Sequence, residues 1–333
     1  MIGEIYWSIP NLRKSKLLCP FTRTVNDLFF SLVDYRNNYF SSDDPDKISE
    51  FYNGFNDRDQ LIQWMKERPK GVANIHEVDG DKDIIVVIPT ADFNGKYAKE
   101  CRENIFKGLH MVFVESGGKG DLYFNYAQNC NVGTKKAMEY NPKWVVVSND
   151  DMKPVDSISI LLQDLVAFQK KNIHLVLSSS RISKENITYL GKNTLIRTII
   201  YSIHSDYTRK ILNIESKFNI KFFSHGTGFI NKLIYWHNLK FPAIGDFAIF
   251  NSSLFNGDHN LFDPVFINGN EDIDSALQLV LNDTNYAFTK FNIKSIGGAS
   301  LGKRGRAIKD LASLIYLNYK IDKLNIKQVK VIK

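Results

Sequence analysis

The chain has 333 residues, 44% hydrophobic and 24% charged, which are the proportions of a globular protein with a sizeable core and exclude general disorder. Its net charge of +7 is concentrated: from Lys303 onward nine Lys and Arg stand against two Asp, so the rest is formally neutral and no nucleic-acid partner is expected. The three cysteines, Cys19, Cys101 and Cys130, form no CxxC pair, which argues against a cysteine-based zinc site and for a reducing compartment.

Residues 1–83 show no clean strand-helix alternation and read as an N-terminal extension packed on the main domain. Within them, Ser41-Ser42-Asp43-Asp44-Pro45-Asp46 is a loop by composition, and residues 57–67 carry a helical pattern stopped by Arg68-Pro69-Lys70-Gly71. The first residues lack the charged and apolar regions of a signal peptide, and the chain has no uncharged apolar run of about 18 residues, so a cytoplasmic location is expected.

Alternation begins at Ile84. The run Ile84-Ile85-Val86-Val87-Ile88 is apolar throughout, as in a strand buried on both faces. A helix is predicted over 96–106, a strand over 111–114, a helix over 123–139, a strand over 144–147, a helix over 155–170 and a strand over 175–177. This βα succession predicts an α/β fold with a mostly parallel, Rossmann-like central sheet flanked by helices. The second half is less regular: residues 185–218 read as largely helical, 221–250 as short aromatic-rich runs, and 271–281 as an amphipathic helix. Residues 304–333 form a basic amphipathic C-terminal helix by pattern. Such a helix suits either docking on the domain or peripheral contact with the inner face of the cell membrane.

Ligands of open parallel sheets bind beyond the carboxyl ends of the strands. Three such ends carry polar groups here: Pro89-Thr90-Ala91-Asp92, Glu115, and Asn149-Asp150-Asp151. Asp151, with Asp150, suits Mg²⁺ or Mn²⁺ bridging two phosphates, because those ions take hard oxygen ligands. Glu115 suits a base or ribose. Asp-Asp after a strand also reads as a turn or helix cap, and Gly117-Gly118-Lys119-Gly120 lacks the spacing of a phosphate-binding P-loop. Gly269-Asn270-Glu271-Asp272-Ile273-Asp274 opens a helix, where acidic residues are favoured by the dipole in any case. There Asp272 is also a candidate general base. Arg304 and Arg306, in a Gly-rich basic loop, suit phosphate contact or an ordinary surface.

The order and spacing of these segments, over residues 84–303, resembles the inverting family 2 glycosyltransferases of GT-A fold. Val87-Ile88-Pro89-Thr90 is similar to their first strand and turn, and Val114-Glu115-Ser116-Gly117-Gly118 to the strand whose acidic end contacts the nucleotide. The segment Asn129 to Ala137, which includes Gly133 and Lys135, is similar to their Asn-x-Gly helix. Ser148-Asn149-Asp150-Asp151-Met152 stands at their metal-binding Asp-x-Asp motif, with Asn149 in place of its first carboxylate. Gly245-Asp246 and Glu271-Asp272 follow their acceptor side, and Ser295 stands near the place of a late histidine.

The resemblance implies a GT-A catalytic domain over 84–303, with a nucleotide-sugar half (84–180) and an acceptor half (181–303). It implies a hexosyltransferase with Asp272 and Glu271 as catalytic residues and a metal at Asp151 and Asp150. Pro89, Thr90, Asp92, Glu115, Asn129, Lys135, Asp150 and Arg304 would bind the nucleotide sugar. The acceptor would be a glycan, a lipid-linked sugar or a protein. A nucleotidyltransferase also uses paired carboxylates on an α/β sheet, but Pro89–Gly95 contains no Lys or Arg to hold its triphosphate. A catalytically degenerate nucleotide-sugar-binding protein is the other alternative, and a glycoside hydrolase, which needs no metal-phosphate rim, ranks last.

Overall fold

The computed structural model describes residues 42–116, 123–178, 184–189, 206–225, 238–242, 244–255, 257, 260–296 and 305–324. Among the described residues two short helices come first. α1 (Pro45–Asn53) starts at Asp44, whose side chain accepts from the amides of Asp46 and Lys47. α2 (Arg58–Glu67) starts at Asp57, which caps Gln60 N in the same way. They bury Ile48, Phe51, Tyr52, Leu61, Ile62 and Met65.

A seven-stranded sheet follows. In chain order its strands are β1 (Asn74–Val78), β2 (Asp81–Thr90), β3 (Leu109–Glu115), β4 (Trp144–Ser148), β6 (Leu175–Ser178), β10 (Phe247–Asn251) and β11 (Tyr286–Thr289). Their spatial order is β1-β3-β2-β4-β10-β6-β11. β1 runs antiparallel to β3, and β10 runs antiparallel to both β4 and β6. The remaining pairs, β2 with β3 and β4 and β6 with β11, are parallel. Five of the seven strands therefore run in one direction and β1 and β10 against them, a mixed sheet in which most strands are parallel, as the sequence predicts. Successive residues of each strand enter opposite cores. Ile85, Val87, Val145 and Val147 face α1, α2, α4 (Tyr126–Met138) and α8 (Ala307–Lys323). Ile84, Val86, Ile88 and Val146 face α3 (Lys96–Glu100), its π-helical continuation through Ile105, and α5 (Ile158–Lys170). Burial on both faces is why these strands read as unbroken apolar runs.

Two expectations need correction. The sheet does not begin at residue 84: β2 starts at Asp81, and β1 lies wholly within the segment assigned to the extension. β1 is an edge strand with the half-polar sequence Asn-Ile-His-Glu-Val, so it carries little hydrophobic signal. The span 185–218, expected to be largely helical, opens on a strand instead. β7 (Lys184–Tyr189) pairs antiparallel with β8 (Phe222–His225) and β9 (Asn238–Pro242) in a separate three-stranded sheet. Ile187, Thr188 and Tyr189 favour the strand. The helical expectation holds at α6 (Asp206–Lys217), and residues 190–205 lie outside the described set.

Among the described residues no helix is long and apolar enough to cross a membrane. α8 docks on the domain, with Ile308, Ala312, Ile315, Leu317 and Ile321 buried. The apolar face that would meet a membrane is therefore occupied by the core, while residues 325–333 lie outside the described set.

Candidate functional site

A cleft of about 250 Å³ opens at the carboxyl ends of β2 and β4. β2 contributes Pro89 and Thr90 to it, and the turn after β4 contributes Asn149, Asp150 and Asp151. Asp150 and Asp151 are only 6% and 4% exposed. Thr90 Oγ1 donates to Asp150 Oδ2 at 2.8 Å, and Cys101 Sγ lies 3.3 Å from the Asp150 carbonyl oxygen. The carbonyl of Asp151 accepts from Ile296 N at 2.8 Å, just past β12 (Ile293–Ser295), which pairs with β5 (Met152–Pro154). That small two-stranded sheet places Ser295 on the cleft wall. Asn149 Oδ1 accepts from the hydroxyl of Tyr126, the first residue of α4.

The opposite wall is the entry to α7 (Glu271–Leu281). Gly269 and Asn270 both have left-handed backbones, with φ of 76° and 67°, which turn the chain sharply into the helix. Glu271 and Asp272 then line the cleft at the positive end of the helix dipole. Glu271 is 6% exposed, and its Oε2 is buried without a hydrogen-bonding partner among the described residues. Burial, and secondarily the negative charge of Asp272, raise its pKa to about 8. Asp272 is half-buried. Arg306 lines the same cleft, with its Nε 3.8 Å from Asp310 Oδ1.

α8 holds this wall from behind. Asn268 Nδ2 donates to Asp310 Oδ1 at 2.7 Å, and the amides of Ile267 and Asn268 both donate to Ser313 Oγ. Lys320 Nζ reaches Asp263 Oδ2 at 2.8 Å and Asp274 Oδ2 at 2.6 Å. From the other side, Asn125 donates to the carbonyls of Pro264 and Phe266, and Asn131 to that of Phe262. Two buried asparagines, the N-cap of α4 and one within it, thus fix the path of the chain that delivers α7.

The structure therefore gathers Pro89, Thr90, Asp150, Asp151, Glu271 and Asp272 on one cleft and leaves the other predicted residues off it. Asp92 is exposed on a turn, where Oδ1 accepts from Asn94 N. Glu115 lies on a neighbouring cavity of about 510 Å³ with Lys70, Asn74 and Tyr123, joined to the cleft at Ala91. Both of its oxygens are engaged, one by Phe93 N at 2.9 Å and one by His76 Nε2 at 2.9 Å. These bonds, the Phe93 amide foremost, lower its pKa. Asn129 is buried and donates to Ser116 Oγ, so it braces the end of β3. Lys135 is exposed near the far end of α4, roughly 13 Å along the axis from the turn that meets the cleft. Arg304 lies outside the described residues. Asp274, part of the acidic cluster, is the ion-pair partner of Lys320.

Tyr126, Phe124 and Asn268 line the cleft without having been singled out by the sequence. Only Tyr126 had a usable signal, as the first helical residue after the capping Asn125.

Adjacent buried carboxylates at Asp150 and Asp151 fit a hard divalent cation. Among the described residues no group of three or more His, Cys, Asp or Glu is arranged to hold a metal. Mg²⁺ in particular is commonly held by one or two carboxylates, with phosphate oxygens and water completing its shell. No known protein family matches the chain, and no curated protein is detectably similar to it.

Proposed function

We propose that this protein is an inverting glycosyltransferase of GT-A type, transferring a sugar from a nucleoside-diphosphate donor to an acceptor hydroxyl. One observation carries the reading. Asp150 and Asp151, at the end of a parallel strand, share a cleft with Asp272, which arrives from about 120 residues further along the chain.

In this reading Asp272 accepts the proton of the acceptor hydroxyl. The oxygen attacks the anomeric carbon from the face opposite the diphosphate. The bond from that carbon to the diphosphate oxygen breaks, and the configuration inverts. Thr90 fixes the Asp150 carboxylate, and Arg306 brings a delocalised cation to the leaving phosphates. A divalent cation at Asp150 and Asp151 would supply charge compensation for the departing diphosphate.

Asn149, in the first position of the carboxylate motif and bonded to Tyr126, favours a second reading: a protein that binds nucleotide sugars without turning them over. Two measurements separate them. A thermal-shift screen with UDP-, GDP- and dTDP-sugars, with and without Mn²⁺ or Mg²⁺, is expected to give a metal-dependent rise with one nucleotide class. Asp151→Ala is expected to abolish that rise. Nucleotide release is then followed in Asp272→Asn, expected to keep the shift and lose turnover by about 10²- to 10⁴-fold, the usual contribution of a general base. Binding without release in the wild type would establish the second reading. Absence of any shift in a folded sample would remove both.

A further inference from the structure

Glu271 is a buried titratable group in the cleft that the displacement above does not use. It lines the cleft beside Asp272, is only 6% exposed, and has a carboxyl oxygen with no hydrogen-bonding partner among the described residues. A buried polar atom without a partner is uncommon in a folded protein and calls for an explanation. The groups whose charges act on it are Asp272 and Arg306, both on the cleft, and Asp310 on α8. None of them is hydrogen-bonded to Oε2.

Resting on the glycosyltransferase reading, we propose that Glu271 hydrogen-bonds a second polar group of the acceptor, next to the hydroxyl deprotonated by Asp272. The acceptor is then a sugar or other polyol, not an isolated alcohol. Three arguments support this. First, Glu271 and Asp272 are consecutive, with Cα atoms about 3.8 Å apart, so a group beside the reacting hydroxyl falls within reach of Glu271. Second, burial keeps the Glu271 carboxyl protonated at neutral pH. A neutral carboxyl both donates and accepts, as a hydroxyl partner requires, and it adds no negative charge beside a leaving diphosphate. Third, the terminal torsion of glutamate is soft, so the carboxyl turns readily towards an incoming partner and its orphaned oxygen is then satisfied.

The test follows nucleotide release from the donor that gives the thermal shift. Release is measured with water alone, with ethanol, and with a panel of methyl hexopyranosides and their monodeoxy analogues. Wild type is expected to be accelerated by at least one hexoside and not by ethanol, and to lose that acceleration with one deoxy analogue. In Glu271→Ala the KM for that hexoside is expected to rise by about tenfold or more, the scale of one lost hydrogen bond. Glu271→Gln, which keeps a donor and an acceptor, is expected to restore KM to within a few-fold. The Gln variant carries the test alone if the Ala variant does not fold. An unchanged KM in Glu271→Ala, loss of turnover in Glu271→Gln as deep as in Asp272→Asn, or KM for the hexoside in Glu271→Gln raised tenfold would overturn the proposal. So would release to water with no acceleration by any hexoside, which would leave the donor reading standing. A wild type that releases no nucleotide from any donor would remove the glycosyltransferase reading and this proposal with it.

Discussion

Glu271 couples the site to pH through stability as well as chemistry. In an unfolded chain its carboxyl titrates near 4.5, whereas in the fold burial holds it protonated up to about 8. Between these values the folded state binds the extra proton, so stability falls as pH rises. The favourable contribution is complete below about 4.5 and is lost as pH passes through about 8. Glu271→Gln lacks this term. Urea unfolding between about pH 5 and 9 is expected to show its stability relative to wild type growing with pH up to about 8 and levelling off above it. A constant difference would mean that Glu271 ionises normally. Individual site residues were legible where chemistry is concentrated, at Asp150, Asp151, Glu271 and Asp272. Lys135 and Asp92 lie off the cleft because a motif gives a residue's neighbours in the chain, whereas helix phase and turn geometry decide where its side chain ends. Glu115 sits at the expected strand end, but its partners, His76 and the Phe93 amide, come from segments that no local pattern connects.

At the scale of elements, α4 lies unusually close to the sheet. A Cβ on Gly133 would stand 2.4 Å from Val87 Cγ1 and 2.8 Å from Val114 Cγ2. Both side chains are β-branched and fully buried, so neither can turn aside. Gly133→Ala is expected to lower stability by about 1 to 3 kcal/mol despite its gain in helix propensity, read as a fall in Tm. An increase in Tm would mean that helix and sheet separate at little cost. Strands buried on both faces and helices with one apolar face were readable in sequence, because burial writes its period into the chain. β1 and β7 were not. An edge strand needs few apolar residues, and β7 takes its strand conformation from partners beyond residue 220.

Across the whole molecule, the site is a seam between distant segments. β10 enters the sheet between β4 and β6, running against both. α8 closes the back of the cleft wall that carries α7, with Lys320 bridging Asp263 and Asp274. Lys320→Ala would leave Asp274, 5% exposed at its side chain, without its cation. The expected loss is about 2 to 3 kcal/mol, less than for a fully enclosed pair because Lys320 is 22% exposed. Unfolding midpoints in urea measure it, and an unchanged midpoint would show that the bridge contributes nothing net.

The position of β10 and α8 also bears on how the protein is made. A ribosome that has just released β6 has produced β4 and β6 but not the strand that joins them, so both present unpaired edges. The wall bearing Asp272 cannot be braced until Lys320 emerges, roughly 170 residues after Asp150. At bacterial or eukaryotic translation speeds that interval is on the order of 10 to 30 s. Throughout it the nascent chain carries half a cleft and two unpaired strand edges, so the interval in which it is exposed to edge-to-edge association is set by the length of chain between β6 and α8.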